Sequence, residues 1–173
     1  NKDVNRLSVI AERFSKIGSK PEMELIYVNE VLENATEYMR RRVSDKVLIT
    51  THLPSDAEGA MVCLSLFEWV IENLCKNAVD AMNGEGRIDV YMTSEKQQIY
   101  IDIKDTGKGI ARKNFKTVFN PGYTTKKRGW GLGLTLAKRI IEDYHAGRIY
   151  VKDSEVGKGT TFRIELKLSL IHI

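Results

Sequence analysis

The sequence predicts an α/β protein, a two-layer sandwich in which a mixed sheet of about five strands packs against about three helices, with a short N-terminal helical appendage. Helical patterns and β-branched runs mix without regular βαβ alternation, which favours a mixed sheet over a purely parallel one. Strand-like runs come as neighbouring pairs separated by short polar turns. A chain of 173 residues, 42% hydrophobic and 29% charged, has enough apolar material for one well-buried core.

Val4, Leu7, Ala11 and Phe14 follow the 3-4-3 spacing of a coiled-coil or bundle seam, and Gly18 and Pro21 stop it. One such helix cannot bury its stripe alone and needs a partner. A second helix is expected from Asn29, an acceptable N-cap, to about Arg42, with Val31, Ala35, Tyr38 and Met39 inward. Lys46 to Leu53 reads as a strand closed by Pro54. The longest helical pattern spans Gly59 to about Met82 and ends at Asn83-Gly84-Glu85-Gly86. Arg87 to Thr93 and Gln97 to Asp105 form a predicted hairpin, with period-2 alternation in Ile99, Ile101 and Ile103. Ile110 to Phe119 is expected as a short helix, Asn120 to Arg128 as a polar loop, and Leu132 to Tyr144 as a helix. Arg148 to Asp153 and Thr160 to Leu168 pair across the turn at Glu155 to Gly159. No internal repeat or low-complexity segment interrupts this order.

Residue 1 is Asn and no signal peptide precedes the first pattern, so the chain reads as a piece of a longer protein. No apolar run approaches the roughly 20 residues of a membrane helix. Cys63 and Cys75 lack metal-ligand spacing and read as reduced core residues of a cytoplasmic protein. The net charge is +4, unevenly spread. From Lys104 to Arg128 eight basic residues accompany a single acid, Asp105. Such a run is either a solvated face or a polyanion site. Nucleic acid is not expected, because neither aromatic interleaving nor a groove-reading helix is evident. A triphosphate fits better.

Four motifs carry chemistry. Asn73 and Asn77 lie i,i+4 on or beside the buried stripe of the long helix marked by Leu66, Val70, Leu74 and Ala81. A semi-buried amide costs free energy unless hydrogen-bonded or ligating, so each Asn either ties helix to loop or, at Asn77, offers its carbonyl oxygen to Mg²⁺. Asp105 ends an apolar strand before Gly107 and Gly109. A carboxylate only accepts hydrogen bonds and so can select the exocyclic amine of adenine, while the glycines allow close backbone approach; the same pattern also suits a plain strand-to-helix turn. Gly129, Gly131 and Gly133 precede a helix whose free N–H groups could face an anion, with Lys126, Lys127 and Arg128 immediately upstream; the alternative is a hinge. Gly157 and Gly159 are the least specific and suit any hairpin.

In this order the motifs resemble the ATP-binding catalytic domain of sensor histidine kinases, within the superfamily shared with gyrase, heat-shock chaperone and mismatch-repair ATPases. The resemblance covers about Lys46 to Leu168. Asn73 and Asn77 match the asparagine box and Asp105, Gly107 and Gly109 the first glycine box. Phe119, Pro121 and Tyr123 match the phenylalanine box. Gly129, Gly131 and Gly133 match the second glycine box, Gly157 and Gly159 the third. The Tyr123-Thr124-Thr125-Lys126 run resembles the nitrogen-regulation type.

The resemblance implies a division into residues 1–20, the C-terminal tail of a dimerisation and histidine-phosphotransfer helix, residues 21–45, a connecting helix, and residues 46–173, the catalytic domain. It implies ATP and Mg²⁺ as cofactors, with Asn77 as metal ligand and Asn73, Asn77 and Lys126 as catalytic residues. The implied nucleotide set is Asn77, Asp105, Gly107, Gly109, Ile110, Phe119, Tyr123, Thr124, Thr125, Lys126, Lys127, Gly129, Gly131, Leu132, Gly133, Leu134 and Thr160. The implied reaction passes the γ-phosphoryl group of ATP to a histidine on the helical domain and then to an aspartate on a response-regulator receiver domain. The parent is expected as a homodimer and this piece as a monomer, cytoplasmic, with inner-membrane anchoring of the parent left open. None of His52, His145 and His172 is assigned as phospho-acceptor. An ATP hydrolase, an anti-sigma-type serine kinase and a degenerate nucleotide-binding module stay open as alternatives. Against the first, Asn73 stands where superfamily hydrolases carry a Glu, and an Asn cannot take a proton from water at neutral pH.

Overall fold

The computed structural model describes residues 22–123 and 133–169. The predicted seam at residues 4–14 lies outside them. Five strands form the main sheet: β2 (Val47–His52), β4 (Gly86–Glu95), β5 (Gln98–Asp105), β7 (Gly159–Lys167) and β6 (Arg148–Glu155), side by side in that order. β2 runs parallel to β4 and every other pairing is antiparallel, so the sheet is mixed as the sequence predicts.

Alternation puts one apolar row on one face. Ile88, Val90 and Met92 from β4, Ile99, Ile101 and Ile103 from β5, and Phe162, Ile164 and Leu166 from β7 are all buried under the helices. Each such side chain contributes roughly 1.5–3 kcal/mol by leaving water. The opposite face carries cross-strand ion pairs instead. Asp102 accepts from Arg163 at 2.7 and 2.8 Å and from Lys152 at 3.2 Å. The β4–β5 hairpin turns through Lys96 and Gln97, both with positive φ.

Helix α1 (Val28–Arg40) buries Val28, Val31, Leu32, Ala35 and Met39. It begins one residue before the predicted Asn29 and stops two before Arg42. Tyr27 holds the N-cap position without a side-chain bond. The Asn29 side chain instead binds the loop after β2: its amide donates to the carbonyls of Pro54 and Asp56 at 2.9 and 3.1 Å, and its oxygen accepts from Glu58 N–H at 3.0 Å. Arg40 donates through Nε to the Ile49 carbonyl at 3.0 Å, covering part of the edge strand β2.

The long helical pattern divides. Gly59–Val62 is a strand, β3, that pairs antiparallel with β1 (Glu24–Tyr27) in a separate two-stranded sheet. Helix α2 (Leu64–Ala81) starts after Cys63 and buries Leu66, Phe67, Val70, Ile71, Leu74, Cys75 and Ala78. The expected stop at 83–86 holds, with Gly84 at φ +78 and its N–H on the Val79 carbonyl at 3.0 Å. The expected helix at Ile110 to Phe119 is two short 3₁₀ turns, Arg112–Asn114 and Thr117–Phe119. Helix α3 (Gly133–Arg139) passes into a π-helical segment, Ile140–Tyr144. Among the described residues no helix is long and apolar enough to cross a membrane.

Candidate active site

The C-terminal half of α2 is the spine of the site. Asn73, Asn77 and Ala81 are four residues apart and so stack along one face, over about 12 Å at 1.5 Å per residue. Different segments meet this face at its two ends.

At the Ala81 end, the chain leaving β5 turns tightly over the helix terminus. Lys108 N–H donates to the Ala81 carbonyl at 2.9 Å. A Cβ on Gly107 would lie 2.7 Å from that same oxygen, so only glycine lets the two backbones touch. Gly109, at φ +77, packs so closely on the Glu155 carbonyl that a Cβ would overlap it, and Gly159 does the same on the Asp105 carbonyl. The first and third glycine motifs are thus two halves of one interlocked turn, sealed by Gly157 N–H on the Lys108 carbonyl at 2.7 Å.

Asp105 sits inside this turn and is only 4% exposed. Its Oδ1 accepts from Gly107 N–H at 2.8 Å, and its backbone partner across the ladder is Thr160. Burial pushes its carboxyl above the usual carboxylate range, opposed by the backbone N–H groups of Gly107 and Thr160. Thr160 is buried, and its hydroxyl pairs with Ser154 Oγ at 2.7 Å. Ser154 also accepts from Ile110 N–H at 2.7 Å, tying β6 to the segment after Gly109.

At the Asn73 end, Gly133 opens α3 directly against the amide. A Cβ there would stand 2.9 Å from Asn73 Oδ1 and 3.0 Å from Nδ2. Asn73 Nδ2 is buried and has no hydrogen-bond partner among the described residues. A donor in that state is costly, about 1–3 kcal/mol, unless something accepts from it. Asn77 lies between the two ends, half-buried.

The remaining predicted residues divide. Phe119 is in the core, edge-on to Phe162 with ring centroids 6.0 Å apart, and its carbonyl accepts from Thr135 Oγ1 at 2.9 Å. Through these contacts it ties the segment before residue 120 to α3 and to β7. Tyr123 and Leu134 are partly buried against the core. Thr124, Thr125, Lys126, Lys127, Gly129, Gly131 and Leu132 lie outside the described residues. Ser154 was not singled out in the sequence, since nothing distinguishes a lone serine on a strand, and Ala81 was named only as part of the buried stripe of the helix. Both cysteines are free and buried, and burial pushes the Cys75 thiol up to about 12.

The donor set suits a metal ion that arrives with phosphates. Among the described residues no three His, Cys, Asp or Glu side chains cluster as a metal cage. Mg²⁺ commonly takes only one or two protein oxygens, completing its shell with water and phosphate, so the single amide oxygen expected of the half-buried Asn77 fits such an ion.

Known proteins resemble this chain in sequence and in shape. Sporulation kinase A of Bacillus subtilis is 42% identical over 95 residues, which is 55% of this chain and 15% of that protein. Nitrogen regulation protein NtrY of Azorhizobium caulinodans is 28% identical over 172 residues, 95% of this chain and 22% of that one. The chain therefore spans less than a quarter of either relative. The crystal structure of full-length ShkA in complex with AMPPNP superimposes with a TM-score of 0.81 at 20% identity, covering 98% of this chain and 36% of that one. That likeness speaks for the fold. Residues 63–170 match the family described as histidine kinase-, DNA gyrase B-, and HSP90-like ATPase. Because that match takes in the asparagine pair, all three glycine motifs and most of the sheet, the chain belongs to this ATPase family.

Proposed function

We propose that the chain is the catalytic, ATP-binding part of a two-component sensor histidine kinase. It holds Mg·ATP and delivers the γ-phosphoryl group to a histidine on a helical domain of its parent, from which an aspartate of a response regulator takes it. The arrangement along α2 carries this reading. A buried carboxylate with spare acceptor capacity stands at one end, and at the other the buried Nδ2 of Asn73, which has no acceptor among the described residues.

Each residue has a defined task in this reading. Asp105 accepts from the exocyclic amine of adenine, and Gly107 and Gly109 bring the backbone to the ring edge. Asn73 Nδ2 donates to a phosphate oxygen near Gly133. Asn77 is the residue that would hold Mg²⁺; when bound, that ion neutralises phosphate charge. Lys126 and Lys127 supply cations to the same phosphates. Transfer of a phosphoryl group needs positioning and charge neutralisation more than covalent help, and these residues supply both. The 42% identity to a protein named a sporulation kinase supports kinase over hydrolase. So does the amide of Asn73, which cannot deprotonate a water.

The deciding experiment mixes the chain with the two-helix domain of its parent and Mg·ATP. Histidine-linked phosphate is the expected product. Free phosphate without it would make the chain a hydrolase, and neither product would leave a binding module. Asn77→Ala is expected to remove the Mg²⁺ dependence of nucleotide affinity, and a retained metal effect sinks that ligand assignment.

A further inference from the structure

Of the described histidines, His52 is exposed and His145 is buried. Both ring nitrogens of His145 are engaged. Nδ1 lies 2.9 Å from the Ile140 carbonyl, and Nε2 lies 3.1 Å from the backbone N–H of Cys63. A carbonyl only accepts and an amide N–H only donates, so the ring is neutral with its proton on Nδ1.

These bonds join the two helices of the candidate site at their far ends. Cys63 is the N-cap of α2, which carries Asn73 ten residues later. Helix α3 runs the other way, from Gly133 on the Asn73 amide to His145 at Cys63, through twelve residues. Ten residues of α-helix advance about 15 Å and twelve would advance about 18 Å. The π-helical segment Ile140–Tyr144 lies in the longer run, where its wider turns take up the excess. The two anchors can then stay in register.

We infer that His145 is a positioning residue for nucleotide binding: its neutral Nδ1–H form latches the end of α3 to Cys63, fixes Gly133 over Asn73, and releases that hold when Nε2 is protonated. Nε2 loses its lone pair on protonation, and two N–H groups then face each other. Burial already disfavours the charged ring and holds its pKa below the ordinary histidine value, while the Ile140 carbonyl alone works the other way. The charged and titratable groups on the surrounding elements include Cys63 at the N-cap of α2, Glu68 and Glu72 on α2, Lys138 and Arg139 on α3, Glu142, Asp143 and Tyr144 on its own segment, and Arg148 and Glu165 on β6 and β7. Neither ring nitrogen bonds to any of their side chains. With the folded pKa below the unfolded one, the latch contributes fully above about pH 6.5, and its contribution falls as the pH drops from there through the folded value.

The nucleotide half of this inference rests on the proposed function; the latch itself does not. The test compares the full chain with His145→Gln, which keeps an oxygen acceptor for Cys63 N–H but cannot titrate. In nucleotide-free wild type, hydrogen exchange at the Cys63 and α3 amides should speed up roughly ten-fold beyond the intrinsic pH effect between about pH 7.5 and 5.5. Mg·ATP affinity should weaken by a smaller factor over that range, because it follows the latched fraction while exchange follows the unlatched one. His145→Gln should bind roughly three-fold more weakly at neutral pH and show neither acid effect. An equal acid decline in both proteins overturns the latch. Failure of both proteins to bind Mg·ATP at neutral pH would count against the proposed function, whereas unchanged amide protection in the nucleotide-free wild type would count against the latch.

Discussion

Two buried aspartates on neighbouring strands have opposite surroundings. Asp89 on β4 accepts from Arg87 Nε at 2.8 Å and meets His52 Nε2 at 2.8 Å. The bond from Arg87 above all holds its carboxyl below the usual carboxylate range, against the effect of burial. Asp105 on β5 has no cation bonded to it among the described residues, only backbone N–H groups, and burial moves its carboxyl the other way. The first is a completed structural pair on the open face of the sheet. The second is a carboxyl placed in the core with no cation beside it among the described residues, the gap that the proposed adenine contact would fill. Asn73 Nδ2, without an acceptor among the described residues, has the same character.

Changing the surroundings of Asp105 tests this contrast most severely. Gly159→Ala should cost about 3–5 kcal/mol, because the new Cβ overlaps the Asp105 carbonyl at a φ of +134. A denaturant midpoint close to wild type would show that the interlocked turn yields easily. Asp105→Asn should lower ATP affinity by about 2 kcal/mol, with a smaller loss for a purine lacking the exocyclic amine. The nucleotide-free protein should meanwhile melt higher, since a raised carboxyl pKa means that ionisation at neutral pH opposes folding. A lower melting temperature would make Asp105 an ordinary structural acid.

Asp89→Asn should do the reverse. Stability at neutral pH falls by about 1–2 kcal/mol with ATP affinity intact. Because this pKa is lowered on folding, the stability is present above the unfolded carboxylate pKa and lost as the pH falls through the folded value. The wild-type and variant melting curves should converge in acid. Smallest of all, Asn73→Ala should change the stability of the nucleotide-free protein by less than about 1 kcal/mol, since relief of a buried donor with no acceptor among the described residues is offset by the packing the side chain loses. Phosphotransfer should fall far more; equal losses in both would make Asn73 a packing residue.

The contrast between these carboxylates was half visible in the sequence. Asp105 announces itself through the glycines beside it, because close backbone approach demands that residue type. Asp89 does not, since its partners arrive from β2 and from two positions away on β4. The mixed sheet and its hairpins were legible because alternation is local. The β1–β3 pair was not: Gly59 to Val62 is a short apolar run that fits strand or helix, and its partner at Glu24–Tyr27 is more than thirty residues away. Asn29 is a good N-cap by type, yet the three bonds it makes to the loop after β2 offer more than one cap bond. The latch at His145 depends on a contact 82 residues apart and left no local trace.

The two-stranded sheet has a mechanical consequence. Glu24 to Tyr27 lie antiparallel to Gly59 to Val62, and one residue after Val62 the helix of the asparagine pair is capped by Cys63. A tug along the axis of β1 loads that short ladder in shear, with its hydrogen bonds sharing the force instead of parting one by one. Displacement at Glu24 is therefore delivered to the root of α2, so the chain entering this domain grips the lever on which Asn73 and Asn77 ride.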